Sequence, residues 1–505
     1  MLIKRVVLAT LTAALLGAAP GAAPSGAPPA ETPDSVTQQT MTVGGKVLPY
    51  TARAGTITLQ NQAGDPTCRM FFTAYTLDGA DTHNRPVTFF YNGGPGSSTI
   101  WLRMGSFGPV RVQTGDGGAT AGPPYTLADN RYSLLDTTDL VFIDMPGSGY
   151  GRIIGAGTRK DFWGVDQDAG AFAQFIQRYL TNFNRWNSPK FLFGESYGTT
   201  RSAVLSNLLA QRGIGLNGIV LLSSFLNATV DYNDGAPIGG GDWAYILYLP
   251  TETATAWYHH AIAGSPNLSG VVADSERFAL GEYLDGLAAG AQLAPNRFDD
   301  IVAKLHRYTG LSETYIRNSN LRIPYDRFEN ELLRQRGLTV GRLDARFQTY
   351  VLDRPEVAPE WDATDAAIDS AFVSTGNYYL RQVLKYDTPS LYRSEIYDLI
   401  YADGNSWDFK HNDNPQILNV APDLAQTMTY NQRLKIFSAN GYFDFATPFF
   451  ATQYVLDHLY IAPALQRNIT YGFYESGHMV YLHPSALSKF HADLERWYAM
   501  VLHNA

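Results

Sequence analysis

A chain of 505 residues that is 45% hydrophobic has enough apolar material for a large core, as one elaborated domain or two to three simple ones, which excludes disorder over its bulk. A net charge of −9, with no cluster of Lys and Arg interleaved with aromatics, argues against a phosphate-tracking groove and so against nucleic acid as a partner. The one cysteine, Cys68, rules out an internal disulfide and a cysteine-based metal site.

In chain order, Lys4 and Arg5 precede an apolar run from Val6 to Leu16 and then small residues, the pattern of a signal peptide over residues 1–23. That run is shorter than the ~20 apolar residues that span a bilayer, so the expectation is a secreted or periplasmic protein without a membrane anchor. Residues 24–39, Pro- and Ala-rich without an apolar period, read as a flexible lead-in. From residue 40, "TITLQ", "CRMFFTAYTL" and "PVTFFY" are strand-like runs that suggest an antiparallel meander feeding a sheet.

"DLVFIDMPG", "SPKFLFGES", "LNGIVLLSS" and "RLKIFSANG" are short, nearly continuous apolar runs, as strands buried on both faces of a parallel sheet read. Helix-like segments such as "DQDAGAFAQFIQRYL" lie between them, so an α/β core is expected over residues 40–229 and again over 376–505. Residues 230–375 have helical period without intervening strands and read as a helical cap inserted in that core.

Gly194-x-Ser196-x-Gly198 falls between a strand and a helix, which matches the nucleophile elbow, a tight turn that lifts a serine hydroxyl out of a sheet. The flanking positions must be small because the turn brings backbones together. A serine hydroxyl is a weak nucleophile and needs a base that is itself oriented by a carboxylate, in the chain order Ser, acid, His. His478 in "YGFYESGHMVYLHPSAL" is the best placed of ten histidines, just past a strand-like run and before the C-terminal helix. His483, its nearest rival, precedes a proline and reads as part of a helix start. His259 and His260 are adjacent and point to different helix faces, which argues against a metal site there. Asp444, in the loop "NGYFDFATP" after a strand, stands where the triad acid should emerge. Tyr197 follows the nucleophile and offers one backbone N–H to an oxyanion. The glycine-rich turn "VTFFYNGGPGSS", with Gly93, Gly94 and Gly96, is the candidate for the second.

These residues resemble the serine carboxypeptidase family. "YNGGPGSS", "GPVRV", "NRYS", "VFIDMPGSGYG", "FLFGESYG", "NGYFDF" and "SGHMV" resemble its blocks in the same order, across roughly residues 87–485. The resemblance implies an α/β-hydrolase fold, a mostly parallel central sheet flanked by helices, and a triad of Ser196, Asp444 and His478 with the oxyanion held by Gly94 and Tyr197. It further implies that Asn92, Gly93 and Glu195 hold the carboxylate of a peptide with a free C-terminus. A buried Glu195 that stays protonated can donate a hydrogen bond there, where the ionised form would repel. No metal and no cofactor is implied.

The chain departs from the family in three places. The second glutamate ahead of the family's Gly-Pro is Ser106, the cysteine after "GGPG" is Ser97, and an aspartate two residues before the triad acid is Tyr442, which points to a divergent, bacterial branch. The expected activity is serine-type removal of C-terminal residues through an acyl-enzyme. The alternatives are an aminopeptidase of the proline iminopeptidase type, an esterase or acyltransferase using the same triad, and a non-catalytic binding protein on the same fold.

Overall fold

The computed structural model describes residues 32–230, 241–263, 267–353, 355–402, 406–412 and 418–503. The expected signal peptide and residues 24–31 of the lead-in lie outside them. Strand β1 (Ser35–Val43) begins inside the stretch read as lead-in. Its alternating burial is that of an edge strand, and its main chain runs along β2 (Lys46–Gln60), so pairing orders a segment whose composition gave no apolar period. β2 then pairs antiparallel with β3 (Pro66–Leu77), as the expected meander requires.

The next strands are β4 (Val87–Tyr91), a short ribbon of β5 (Val110–Val112) and β6 (Leu127–Asp129), β7 (Asp139–Ile143), β8 (Arg152–Ile153), β9 (Lys190–Ser196) and β10 (Gly218–Ser224). A hairpin of β11 (Leu338–Val340) and β12 (Gln348–Tyr350) follows, then β13 (Lys435–Gly441) and β14 (Ile469–Tyr474). Ten strands form the main sheet in the order β1-β2-β3-β7-β4-β9-β10-β13-β14, with β8 paired to β3. β4 is not part of the meander. It lies between β7 and β9 and is parallel to both, and its five residues are buried on both faces, which is the pattern of a central parallel strand.

Each face of the sheet is covered. On one, Phe90 stacks between Phe142 and Phe193, with ring centroids 4.7 and 4.8 Å apart. The C-terminal helix Pro484–His503 brings Phe490, Leu494 and Trp497 down onto the same cluster. Each such side chain contributes about 1.5–3 kcal/mol when fully buried.

On the other face, Leu192, Ile219 and Leu221 share one continuous core with Ile246, Leu249 and Val302 of the inserted helices. The insertion is therefore packed as part of the core rather than as a separate body. It is built on helices such as Asp242–Tyr258, Pro295–Thr309 and Ala363–Tyr378, but the β11/β12 hairpin interrupts it. The next long helix, Ala421–Tyr430, precedes β13. Ahead of this helix, irregular chain is tied to the loops of the sheet by single bridges: Gly149 to Arg393, Ser97 to Glu395 and Gly164 to Asp408. Such pairing leaves no periodicity to read. Among the described residues no helix is long and apolar enough to cross a membrane.

Candidate active site

Ser196 ends β9, and the helix Tyr197–Gln211 begins at the next residue. The serine backbone sits at φ 62° and ψ −131°, a region that costs a non-glycine residue about 1–3 kcal/mol and that the surroundings must hold in place. The flanking glycines are small for the expected reason. A Cβ on Gly194 would lie 2.3 Å from the Gly198 carbonyl oxygen, and one on Gly198 would lie 2.8 Å from that of Tyr91.

The elbow is held by a buried cation. Arg201, within the first turns of the helix, donates from Nε to Asp168 Oδ2 at 2.6 Å and from Nη1 to the Asn92 carbonyl at 2.8 Å. Both side chains of the pair are fully buried, and the guanidinium lies over the rings of Tyr91, Phe172 and Tyr197. One side chain thus ties the nucleophile helix, the helix Val165–Asn182 and the turn after β4 together. Removing one partner of such a pair costs about 3–5 kcal/mol, because it strands the other charge.

The glycine turn approaches the elbow closely. A Cβ on Gly93 would sit 2.4 Å from the Tyr197 nitrogen and 2.8 Å from both the Glu195 oxygen and the Gly198 nitrogen. Gly94 has φ 107°, open to glycine, and Ser97 N–H donates to the Gly93 carbonyl at 3.1 Å. The helix Ile100–Gly105 that follows is anchored by Asp144, which accepts from Thr99 N at 2.7 Å, from Thr99 Oγ1 at 2.6 Å and from the Tyr392 hydroxyl at 3.0 Å.

Asp444 and His478 meet as expected. Asp444, fully buried, accepts the His478 Nδ1 proton on Oδ2 at 2.8 Å. Thr447 Oγ1 donates to the same oxygen at 2.7 Å, and Oδ1 accepts from the backbone of Ala446 and Thr447 at 2.8 and 3.0 Å. A carboxylate with that many donors is held in one rotamer. It fixes the imidazole tautomer, leaving Nε2 as the acceptor. The imidazole backbone is clamped too: His478 N–H donates to the Leu343 carbonyl at 2.6 Å, and Ser223 Oγ donates to the His478 carbonyl at 2.7 Å. Ser223 adjoins Ser224, which pairs with Ser196 across β9 and β10, so the histidine loop hangs beside the strand ends that carry the serine.

Residues 342–345 complete this arrangement, and no local signal marked them. Leu343 holds His478, Ala345 N–H donates to the Phe443 carbonyl at 2.9 Å, and Phe445 N–H donates to the Arg342 carbonyl at 3.0 Å. The loop between β11 and β12 therefore runs across both the acid-bearing and the histidine-bearing loops.

Glu195 is buried, and burial pushes its carboxyl up from 4.5 to about 7, with His478 and a hydrogen bond from Tyr481 pulling the other way. The Tyr481 hydroxyl lies 3.2 Å from Oε1 and 3.0 Å from Oε2, and the Asn92 side chain lies beside both groups. Burial lowers His478, but the Asp444 carboxylate outweighs it, with Glu195 adding to the pull, and the net direction is upward from 6.5. Ser106, at the position of the family's second glutamate, turns away: its hydroxyl donates to the Leu102 carbonyl of its own helix at 2.6 Å. Ser97 Oγ lies 2.9 Å from the Tyr397 hydroxyl, and Tyr442 stacks with Phe473.

The rival histidines have structural partners. His483 Nδ1 pairs with Asp116 at 2.8 Å, and His259 Nε2 is 2.6 Å from the Ala345 carbonyl.

The profile of the serine carboxypeptidase family matches residues 45–263. A carboxypeptidase Y homolog of Arthroderma benhamiae is 29% identical over 164 residues, which are 32% of this chain and 30% of that protein. A pheromone-processing carboxypeptidase of Candida dubliniensis is 24% identical over 144 residues, 28% of this chain and 19% of that one. The matched stretches are thus under a third of the length of these relatives. The crystal structure of a prohormone-processing carboxypeptidase from Saccharomyces cerevisiae superposes with a TM-score of 0.55 at 17% identity, over 88% of this chain and 91% of that one, which establishes the α/β-hydrolase fold. Over residues 45–263 the chain is thus similar to serine carboxypeptidases, and its fold is that of the α/β-hydrolases.

Proposed function

We propose that this protein is a serine carboxypeptidase that removes residues from the free C-terminus of peptides through an acyl-enzyme. The observation that carries the reading is the pairing of two chemistries at one elbow: a carboxylate-oriented imidazole at His478, and next to Ser196 a buried acid, Glu195, lifted to about 7.

In this reading His478 Nε2 takes the Ser196 Oγ proton as the oxygen attacks the scissile carbonyl. The Tyr197 and Gly94 N–H groups donate to the developing oxyanion. The imidazolium, stabilised by Asp444, then protonates the leaving amine, which departs as a free amino acid. A water molecule deprotonated by the same nitrogen opens the ester. The Asn92 side chain, the Gly93 backbone and protonated Glu195 hold the terminal carboxylate, which places the last peptide bond over the serine.

Two proton distributions compete in the resting site. The productive one has neutral His478 and protonated Glu195, and the other is the imidazolium–carboxylate pair with the same proton count. Burial lifts Glu195 to about 7, the Asp444 carboxylate holds His478 above 6.5, and the two attract each other when charged, so the balance is sensitive to substrate. An incoming carboxylate repels ionised Glu195 and so favours the productive form.

The basic start and apolar run at residues 4–16 support export, hence a secreted or periplasmic site of action. The function is tested with peptides that differ only in a free or amidated C-terminus. The free acid should be cut much faster below pH 7, and equal rates on both would remove the carboxylate-capture role.

A further inference from the structure

We infer that the Tyr481 hydroxyl is the positioning group for Glu195, doing with a neutral donor what the absent second acid at Ser106 cannot. The inference rests on the carboxypeptidase reading above and extends it to a residue outside the family's acid pair. Three observations converge. Tyr481 and Glu195 are both buried, so their contact is protected from water. The hydroxyl reaches both carboxyl oxygens, at 3.2 and 3.0 Å. Ser106 spends its own hydroxyl on the Leu102 carbonyl, and its carbonyl accepts from Asn130 Nδ2 at 2.6 Å, so it has nothing to offer Glu195.

Tyr481 is itself held. Arg111 Nη2 donates to the Tyr481 carbonyl at 2.7 Å, and the ring packs against Gly105, where a Cβ would come within 2.6 Å of it. A rigid ring thus presents one O–H to a carboxyl group that would otherwise be free to rotate in an apolar pocket. With the hydroxyl donating to one oxygen, the proton of neutral Glu195 sits on the other and is directed toward the substrate carboxylate. Phenol stays neutral in this environment, since burial and the neighbouring Glu195 both push Tyr481 far above its usual range. The pocket then has one titrating carboxyl rather than two sharing a proton, and its alkaline limb is that of Glu195.

The charged and titratable groups around Glu195 are His478 and, behind it, Asp444, together with Tyr481 and Arg111. His478 and the Tyr481 hydrogen bond favour the ionised form of Glu195, whereas burial and Asp444 oppose it. Removing the hydroxyl therefore has two opposite effects. At low pH the acid is protonated but unaimed, and capture weakens. At higher pH it holds its proton longer, and the alkaline limb moves up.

The test is Y481F, measured on one peptide as the free acid and as the amide from pH 5 to 9, with thermal melting as a check on folding. Expected at pH 5 is a KM for the free acid raised about tenfold, the loss of one hydrogen bond to a strongly polar partner, with kcat little changed and the amide unaffected. The alkaline limb of kcat/KM should move to higher pH. E195Q provides the second variant, and it should abolish that limb, since a carboxamide does not titrate. A Y481F enzyme with unchanged KM and limb, or with equal losses on acid and amide, overturns the role of Tyr481 while leaving the carboxypeptidase reading intact. A wild-type protein that shortens no free C-terminus overturns both.

Discussion

Alanine at Gly93 should disable the oxyanion site while sparing the fold. The added Cβ would stand 2.4 Å from the Tyr197 nitrogen and 2.8 Å from the Glu195 oxygen and the Gly198 nitrogen. All three are backbone atoms of the elbow, so no side chain can swing aside. Ordinary carbon contacts begin at ~3.5 Å, so the turn and the elbow must separate by roughly 1 Å. That shift moves the Tyr197 and Gly94 N–H groups apart at the position where the oxyanion forms. Loss of one such donor lowers kcat about 10²–10³-fold, and a 1 Å misplacement has a comparable effect. The assay is the rate of fluorophosphonate labelling at Ser196 alongside kcat on a free-acid peptide, with melting temperature measured in parallel. Both rates should fall about a hundredfold or more in a protein that still melts cooperatively. Wild-type labelling and turnover in G93A would refute the placement of the oxyanion donors.

The pH profile of the wild type should show two limbs with separate owners. Hydrolysis of a free-acid peptide should fall as pH rises through about 7, where Glu195 loses its proton, whereas a neutral ester substrate should keep its rate there. Both should fall toward acid pH, where His478, raised above 6.5, becomes protonated. A second titration should govern stability. His411 bridges Asp166 at 2.6 Å and Asp423 at 2.7 Å, and those carboxylates, acting against burial, lift it from 6.5 to about 9. A raised pKa means that the bridge stabilises fully below 6.5 and is lost as pH rises through about 9. The ceiling is about 3 kcal/mol, and the solvent exposure of Asp166 brings it to about 2. Chemical denaturation of wild type and H411Q across pH 6 to 10 checks this: the wild-type advantage should shrink between pH 6.5 and 9 and be gone above it, and an advantage independent of pH would contradict the bridge.

His411 also shows how distant structure reaches the site. Its segment carries Trp407, which packs edge-on against the Tyr197 ring at 5.4 Å. Asp408 joins the same segment to the start of the helix Val165–Asn182. Neither link has a sequence spacing, because the partners lie on different elements.

That contrast explains what could be read in advance. The proposed nucleophile, acid and base sit at or just after strand ends, where turn residues are constrained locally, so Ser196, Asp444 and His478 stand out in the sequence. The central strands announced their burial, as in "DLVFIDMPG", whereas "VTFFY" reads like a meander strand although it pairs in parallel on both sides. The supporting groups were silent. Tyr481 meets Glu195 across 286 residues, and Arg201 meets Asp168 across 33, and each looks like an ordinary member of a helix or turn. The chain from Gly341 to Phe347 shows no periodicity, since Arg342, Leu343 and Ala345 make main-chain bonds to the loops of Asp444 and His478 while Gly341 and Phe347 close a turn on themselves. The resemblance marked Ser106 as a departure, but nothing local marked Tyr481 as the group that meets Glu195.

The most direct test of the account is mass spectrometry of a peptide of mixed sequence, with a free acid or an amide at its end, incubated with wild type or S196A. The account predicts stepwise loss from the C-terminus of the free acid, an untouched N-terminus, much slower attack on the amide, and no products from S196A. Shortening from the N-terminus, or undiminished C-terminal trimming by S196A, would contradict it.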